Sequence, residues 1–333
     1  MPYLLGIDEA GYGPNLGPFV MSSALFSLPS GCSTDLWKVL RSAVRKSNQK
    51  ADGRLIVDDS KQVYSPKVGL GMLEKNLWPF VTLSRSPGDD SLKRKRGGVE
   101  PTQGPPSLAL QAVIVKELWH HLATDPIESI SHEPYLQWDA TLPLSPPSLS
   151  STAILSGVMS NAGVTLARLQ SSIIAPRQFN QLTRDADSKA AIPLHSISQL
   201  VATLPHEDTV EIHIDRLGGR QRYAEQVSKW FPQQKIEIET ETPNLSKYRI
   251  GDQLTISFQV EADQHSFAVA LASMLSKYWR EVMMLQFNSW FAKEQPGVIP
   301  TAGYPLDATR FWNEVEPTRK RLGLINNDWW RER

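Results

Sequence analysis

Residues 6–18, GIDEAGYGPNLGP, constrain this chain more than any other stretch. The apolar run Tyr3-Leu4-Leu5-Gly6-Ile7 predicts a strand, and it ends in two adjacent carboxylates, Asp8 and Glu9. Glycines at 11, 13 and 17 and prolines at 14 and 18 then force a turn. A strand that delivers acids into a Gly-rich turn can present them to a metal or a substrate, because ligands gather at strand ends. Taken alone, such a pair is more often an acidic turn closing a surface strand. Its meaning therefore depends on partners elsewhere in the chain.

Composition narrows the setting. The 333 residues carry 35 Lys+Arg against 35 Asp+Glu, so net charge gives no drive toward nucleic acid or membrane, and such binding must come from local patches. Hydrophobic residues make up 41%, enough for a large core. The single cysteine, Cys32, allows no internal disulfide. No basic, apolar leader precedes Asp8, and apolar runs such as 19–28 are too short to span a bilayer. A soluble, cytoplasmic protein is expected.

Alternation predicts strands at 3–8, 19–27, 78–84, 164–175, 210–215, 235–241 and 254–262. In the strand at 210–215, Val210, Ile212 and Ile214 share one face and Glu211 and His213 the other. Helical spacing appears at 35–46, 68–76, 108–122, 197–204 and 267–287, and again in the tail from 307. Residues 86–107 and 143–151 are rich in Gly, Pro and Ser and read as exposed insertions, with the basic run 93–96 solvated. The pattern is α/β, with a central mixed five-stranded sheet from the strands at Tyr3, Phe19, Trp78, Val210 and Leu254, flanked by helices.

Three of these strands end in acid: Asp8-Glu9, Asp215 and Asp263. Four carboxylates brought together would repel one another and raise their own pKa values unless a cation sat among them. Hard oxygen ligands suit magnesium or manganese. An open cluster of this kind supports metal-assisted phosphoryl chemistry.

Five blocks in order resemble type-2 ribonuclease H, the ribonuclease HII family. GIDEAGYGPNLGP is similar to that family's opening G-I-D-E-A-G-R-G-P-x-x-G-P, and Asp59-Ser60-Lys61 to its Asp-Ser-Lys motif. The strand 211–215 resembles the one that carries the third acid. Asp263, followed by ASMLSK at 272–277 and Arg280-Glu281, is similar to the fourth acid and its helix, A-S-I-L-A-K-x-x-R-D. Ala302-Gly303-Tyr304 resembles the family's Gly-Tyr element. The segment 67–207 matches only vaguely.

The resemblance implies a ribonuclease H-like fold, with residues 1–305 as a catalytic domain and 306–333 as a helical extension. It implies that Asp8, Glu9, Asp215 and Asp263 bind two Mg²⁺ or Mn²⁺ ions. The activity implied is hydrolysis of the phosphodiester 5′ of ribonucleotides in RNA–DNA hybrids or DNA duplexes, leaving 5′-phosphate and 3′-hydroxyl. Gly11 and Gly13 would approach the ribose 2′-hydroxyl, and Tyr304 would pack on the sugar. Ser60 and Lys61 would contact a phosphate, with Lys277 and Arg280 offsetting the acids or touching the backbone. A monomer is expected.

The chain departs from the family in its length and at Tyr12, which stands where the motif has Arg and is expected, like Tyr304, to contact substrate from its Gly-containing turn. A second Asp-Ser-Lys at 187–189 reads as a helix cap and coincidence. Trp312, Trp329 and Trp330 read as core or docking residues rather than a stacking surface. Two other functions are weighed. One is a nucleic-acid-binding protein of the same fold with lost or redirected catalysis, favoured by Tyr12. The other is an actin-like or sugar-kinase-like ATP-binding protein, which leaves Glu9 and 59–61 unexplained.

Overall fold

The computed structural model describes residues 1–84, 113–126, 130, 133–144, 148–205 and 208–332. The expected insertion 86–107, with its basic run, lies outside them, as do residues 145–147 of the second. Strands β1 (Tyr3–Ala10) and β2 (Phe19–Ser27) flank the Gly/Pro turn. Short elements follow: α1 (Leu36–Val39), β3 (Val44–Arg45), β4 (Leu55–Ile56) and α2 (Ser60–Val63), then the longer α3 (Gly71–Leu83). Next come β5 (Val113–Ile114), α4 (Val115–Leu122), β6 (Thr141–Leu142), α5 (Leu149–Asn161) and β7 (Thr165–Ile174). Helices α6 (Pro176–Ala186) and α7 (Ala191–Val201) lead to β8 (Val210–Asp215). Beyond it lie α8 (Ala224–Trp230), β9 (Ile236–Glu241), β10 (Leu245–Ile250) and β11 (Leu254–Gln259). The chain closes with α9 (Ala262–His265), the 28-residue α10 (Phe267–Glu294), α11 (Pro305–Glu314), α12 (Glu316–Leu322) and α13 (Asn326–Trp329).

The main sheet runs β7-β2-β1-β8-β11-β10-β9. β1 pairs antiparallel with β2 but parallel with β8, and β8 pairs parallel with β11, while the remaining neighbours are antiparallel. This is the expected mixed α/β sheet flanked by helices, with corrections. It has seven strands rather than five, because the hairpin β9-β10 extends one edge. The predicted strand at Trp78 is instead part of α3, and β7 takes its place in the sheet. The run Trp78-Pro79-Phe80-Val81 is buried throughout, and so short an apolar run fits a buried helix as well as a strand. The helix predicted at 35–46 shrinks to α1 and then extends into β3. Of the helix predicted at 108–122, the described part is helical only from Val115.

Each face of the sheet carries its own core. Leu4, Val20, Ala24 and Phe26 point to one side, where Leu73 and Trp78 of α3 and Phe267, Leu271 and Met274 of α10 cover them. Leu5, Ile7, Met21 and Leu25 point to the other, with Ile192 and Ile197 of α7 and Val227 of α8. The alternation follows from the two-residue repeat of a strand. A third cluster joins Met284, Phe287 and Phe291 of α10 to Phe311, Trp312 and Trp329 of the tail, so these tryptophans pack inside. Each fully buried side chain of this size contributes about 1.5–3 kcal/mol.

Gly6 sits on the α10 face of β1. A Cβ there would lie 2.1 Å from the Ala268 carbonyl carbon and 2.2 Å from the Val269 nitrogen, both backbone atoms. Only glycine lets the helix rest on the strand at this point. Gly6→Ala should therefore cost about 3 kcal/mol or more, seen as a large fall in the urea midpoint. Gly157 is mid-helix, and a methyl group added there would meet nothing within 4 Å, so Gly157→Ala should gain about 0.5–1 kcal/mol in the same measurement.

Candidate active site

Parallel pairing of β1 with β8 brings the first acids together. Ile7 opposite Ile214 is the last pair in their register, so Asp8 and Asp215 follow side by side where β1 and β8 part, each still paired on its other flank. On the other flank of β8, Gln259 of β11 lies opposite Asp215. The chain then turns through Glu261, left-handed at φ 55°, into α9 and Asp263. The Ala262 N–H donates to the Asp215 carboxylate at 2.8 Å, tying the fourth acid's backbone to the third. From beneath, Ser276 of α10 donates to the Asp8 carbonyl at 2.9 Å. Asp8 and Asp263 are 6% and 8% exposed, so these are buried acids at the rim of a groove.

All four resist ionisation. Burial, then the neighbouring charges of Glu9 and Asp215, hold Asp8 well above the usual carboxylate range, against a hydrogen bond from Ser273. Burial and Asp215 push Glu9 up to about 7. Burial raises Asp215 despite hydrogen bonds from the Ala262 and Arg216 amides. Burial, then Asp59 and Asp215, push Asp263 to about 6. Asp59 is a fifth acid, one that sequence reasoning passed over; it caps α2, accepting from the Lys61 amide at 3.0 Å. Lys61 faces the group: Asp59 raises its pKa most, with further contributions from Asp263, Asp8 and Asp215.

The other expected site residues divide. Ser60 is buried and accepts a hydrogen bond from the Ser273 hydroxyl at 3.1 Å, which moors α2 to α10. Arg280 is 2% exposed and donates to the carbonyls of Pro18 (2.8 Å) and Ala302 (2.9 Å). It therefore holds the Gly-rich turn from below, and any effect on substrate passes through that turn. Lys277 pairs with Glu281 at 2.6 Å and lies 4.5 Å above the Tyr64 ring. Tyr304 is 53% exposed, and its ring lies 3.9 Å from where a Gly13 side chain would begin.

The turn itself is built around positive φ at Gly11 (86°) and Gly17 (78°), where a Cβ would also strike Arg280 or Met284. The Gly303 carbonyl accepts from the amides of Asn15 (2.8 Å) and Leu16 (3.2 Å), joining the turn to the Tyr304 segment. A second buried guanidinium, Arg331, donates to the carbonyls of Gly11 (2.7 Å) and Pro14. Its backbone exchanges hydrogen bonds with Asn15. Sequence reasoning missed Arg331 because nothing local marks a contact across 316 residues.

Two cavities open along the acids. One, of about 240 Å³, is lined by Asp59, Lys61, Asp215, Arg216 and Asp263, with Gly218 at its edge. The other, of about 330 Å³, is lined by Glu9, Tyr12, Ala190, Pro193, Leu217 and Arg220, and it also reaches Gly218. Tyr12 is half-buried, edge-on to Phe19 at 6.1 Å, and the Lys189 ammonium lies 4.6 Å from its ring centre. The second Asp-Ser-Lys, read as coincidence, thus has its lysine beside the Gly-rich turn.

The donor chemistry fits a hard divalent cation. Every candidate ligand is a carboxylate, and Glu9 Oε2 is buried without a hydrogen-bond partner. Among the described residues, though, no three His, Cys, Asp or Glu side chains are arranged to hold one ion as they stand.

No family model matches the chain, and no curated protein sequence does so significantly. Solved structures do align with it. Ribonuclease H2 from Pyrococcus horikoshii OT3 is 14% identical over 98% of this chain and 92% of its own, with a TM-score of 0.46. Ribonuclease HII from Archaeoglobus fulgidus, solved with PCNA, is 13% identical over 99% and 94%, with a TM-score of 0.44. Bst-RNase HIII in complex with Mn²⁺ is 13% identical over 99% and 66%, with a TM-score of 0.39.

The raised acids fix the sign of a pH effect. Below about pH 4 they are protonated in folded and unfolded chains alike and cost nothing. Above that, and up to the folded values of about 6 for Asp263 and about 7 for Glu9, the unfolded chain releases protons that the fold retains, so stability falls and then levels off. In chelator, the urea midpoint should fall between about pH 4 and pH 7. Glu9→Gln should flatten that fall, regaining on the order of 2 kcal/mol at the upper end.

Proposed function

We propose that this chain is a divergent, enlarged type-2 ribonuclease H, a metal-dependent endonuclease that cuts 5′ of ribonucleotides in RNA–DNA hybrids or DNA duplexes. The observation that carries the reading is the convergence of Asp8 and Glu9 of β1, Asp215 at the end of β8 and Asp263 of α9, repelling one another and faced by Lys61. A protein keeps such a cluster at a cost in stability, which function explains better than folding does.

In this proposal the four acids hold two Mg²⁺ or Mn²⁺ ions. Bound there, the ions would supply Lewis acidity, activating a water and stabilising the departing 3′ oxygen. The protein does the rest. Gly11 and Gly13 leave backbone open to approach the ribose 2′-hydroxyl, the group that separates RNA from DNA. Arg280 and Arg331 fix that turn by taking its carbonyls inward. Tyr304, exposed beside Gly13, packs on the sugar, and Lys61 meets a phosphate at the rim of the cluster. Residues 1–305 form the catalytic domain, 306–333 extend it, and the enzyme works as a cytoplasmic monomer. No helix among the described residues is long and apolar enough to cross a membrane.

A labelled DNA duplex with one embedded ribonucleotide should be cut in Mg²⁺ or Mn²⁺, leaving a 3′-hydroxyl. Asp8→Asn and Asp263→Asn should each lower the rate by roughly 10³-fold, several kcal/mol of barrier, without loss of fold. Absence of cutting, or equal cutting of an all-DNA duplex, defeats the proposal. Tight binding without turnover would favour a binding protein of the same fold.

A further inference from the structure

Tyr12 stands where the resembling motif has a guanidinium, so the Gly-rich turn carries no cation of its own. Two cations from other elements stand near it instead. Lys189, between α6 and α7, lies 4.6 Å from the Tyr12 ring centre and 5.7 Å from that of Phe179. Arg220, from the loop after β8, lines the same 330 Å³ cavity as Tyr12 and Glu9. That loop is fastened to itself: Arg216 donates to the carbonyls of Gly219 (3.0 Å) and Arg220 (2.9 Å), and the Tyr223 hydroxyl donates to Arg220 (3.0 Å). Arg220 is therefore presented from a set backbone.

We propose that Lys189, Arg220 and Tyr12 form a subsite for one nucleotide of the cleaved strand, the two cations taking its phosphodiester. The inference rests on the nuclease reading above and extends it. Arg220 lines the cavity together with the Glu9 carboxylate, and the Lys189 ammonium stands against the ring of Tyr12 in its wall; two cations to one carboxylate favour an anion there, and the guanidinium's fork matches phosphate geometry. The same cavity offers Tyr12, Pro193 and Leu217 as apolar surface for a sugar or base. Because it meets the acid-lined cavity at Gly218, a strand lying in one continues into the other. Lys189 thus supplies in space the charge that position 12 lacks in sequence.

The test is binding, not cleavage. Asp8→Asn protein would be titrated against a fluorescent duplex with one ribonucleotide, by anisotropy, across a range of NaCl concentrations. Adding Lys189→Gln or Arg220→Gln should weaken binding several-fold and reduce the slope of log K against log[salt] by about 1 each. Lys189→Arg should keep the slope, which separates lost charge from lost fold. If the Asp8→Asn parent binds no duplex, the nuclease reading falls and the subsite with it. If the parent binds and both glutamine variants keep its affinity and slope, the subsite alone is refuted.

Discussion

The site depends on how closely α10 lies against β1. With no side chain at Gly6, the helix backbone comes within contact of the strand, and everything the helix carries is set by that approach. Ser276 reaches the Asp8 carbonyl, Ser273 reaches both Asp8 and Ser60, and Arg280 reaches the underside of the turn. A helix held even one side chain further away would lose several of these contacts at once. Packing at one glycine is thereby converted into the position of acids, lysine and loop.

Charge is arranged in two layers around that contact. On the groove side, carboxylates crowd together with Lys61 facing them. Beneath the turn lie Arg280 and Arg331, both buried and both donating to carbonyl oxygens; burial depresses each, and Arg331 is further depressed by Arg280. Neither layer is what a chain would choose for stability alone, since buried charge is costly unless something answers it. Within the protein, Lys61 is the cation that faces the groove's acids. The carbonyls answer the arginines.

Local sequence carried much of this and lacked the rest for definable reasons. The strand–acid–turn at 6–18 and the alternation at 210–215 were legible because each reports its own environment over a few residues. Asp215 was legible as a strand end, and parallel pairing then brought it to Asp8; Asp263 was expected to end a strand through 262, but β11 stops at Gln259 and the acid sits in α9. Trp78-Pro79-Phe80-Val81 misled because burial on every side erases periodicity. Arg280 was visible as a cation on the right helix but not as a buried one, since burial belongs to the tertiary fold. Asp59 was read as part of the Asp-Ser-Lys motif but not as a member of the acid cluster, and Lys189 as a repeat of a motif already placed. Their roles depend on neighbours more than a hundred residues away in sequence.

The Asn15–Arg331 junction has a consequence for how the molecule comes to be. Its partners are separated by 316 residues, so closing it is among the most non-local steps available to this chain. Synthesis makes the glycine turn early, yet the guanidinium that draws in its carbonyls arrives only after the intervening polypeptide has emerged. Until then the turn has its glycines but not its shape. A newborn chain would hold the parts of the candidate site well before it holds their arrangement.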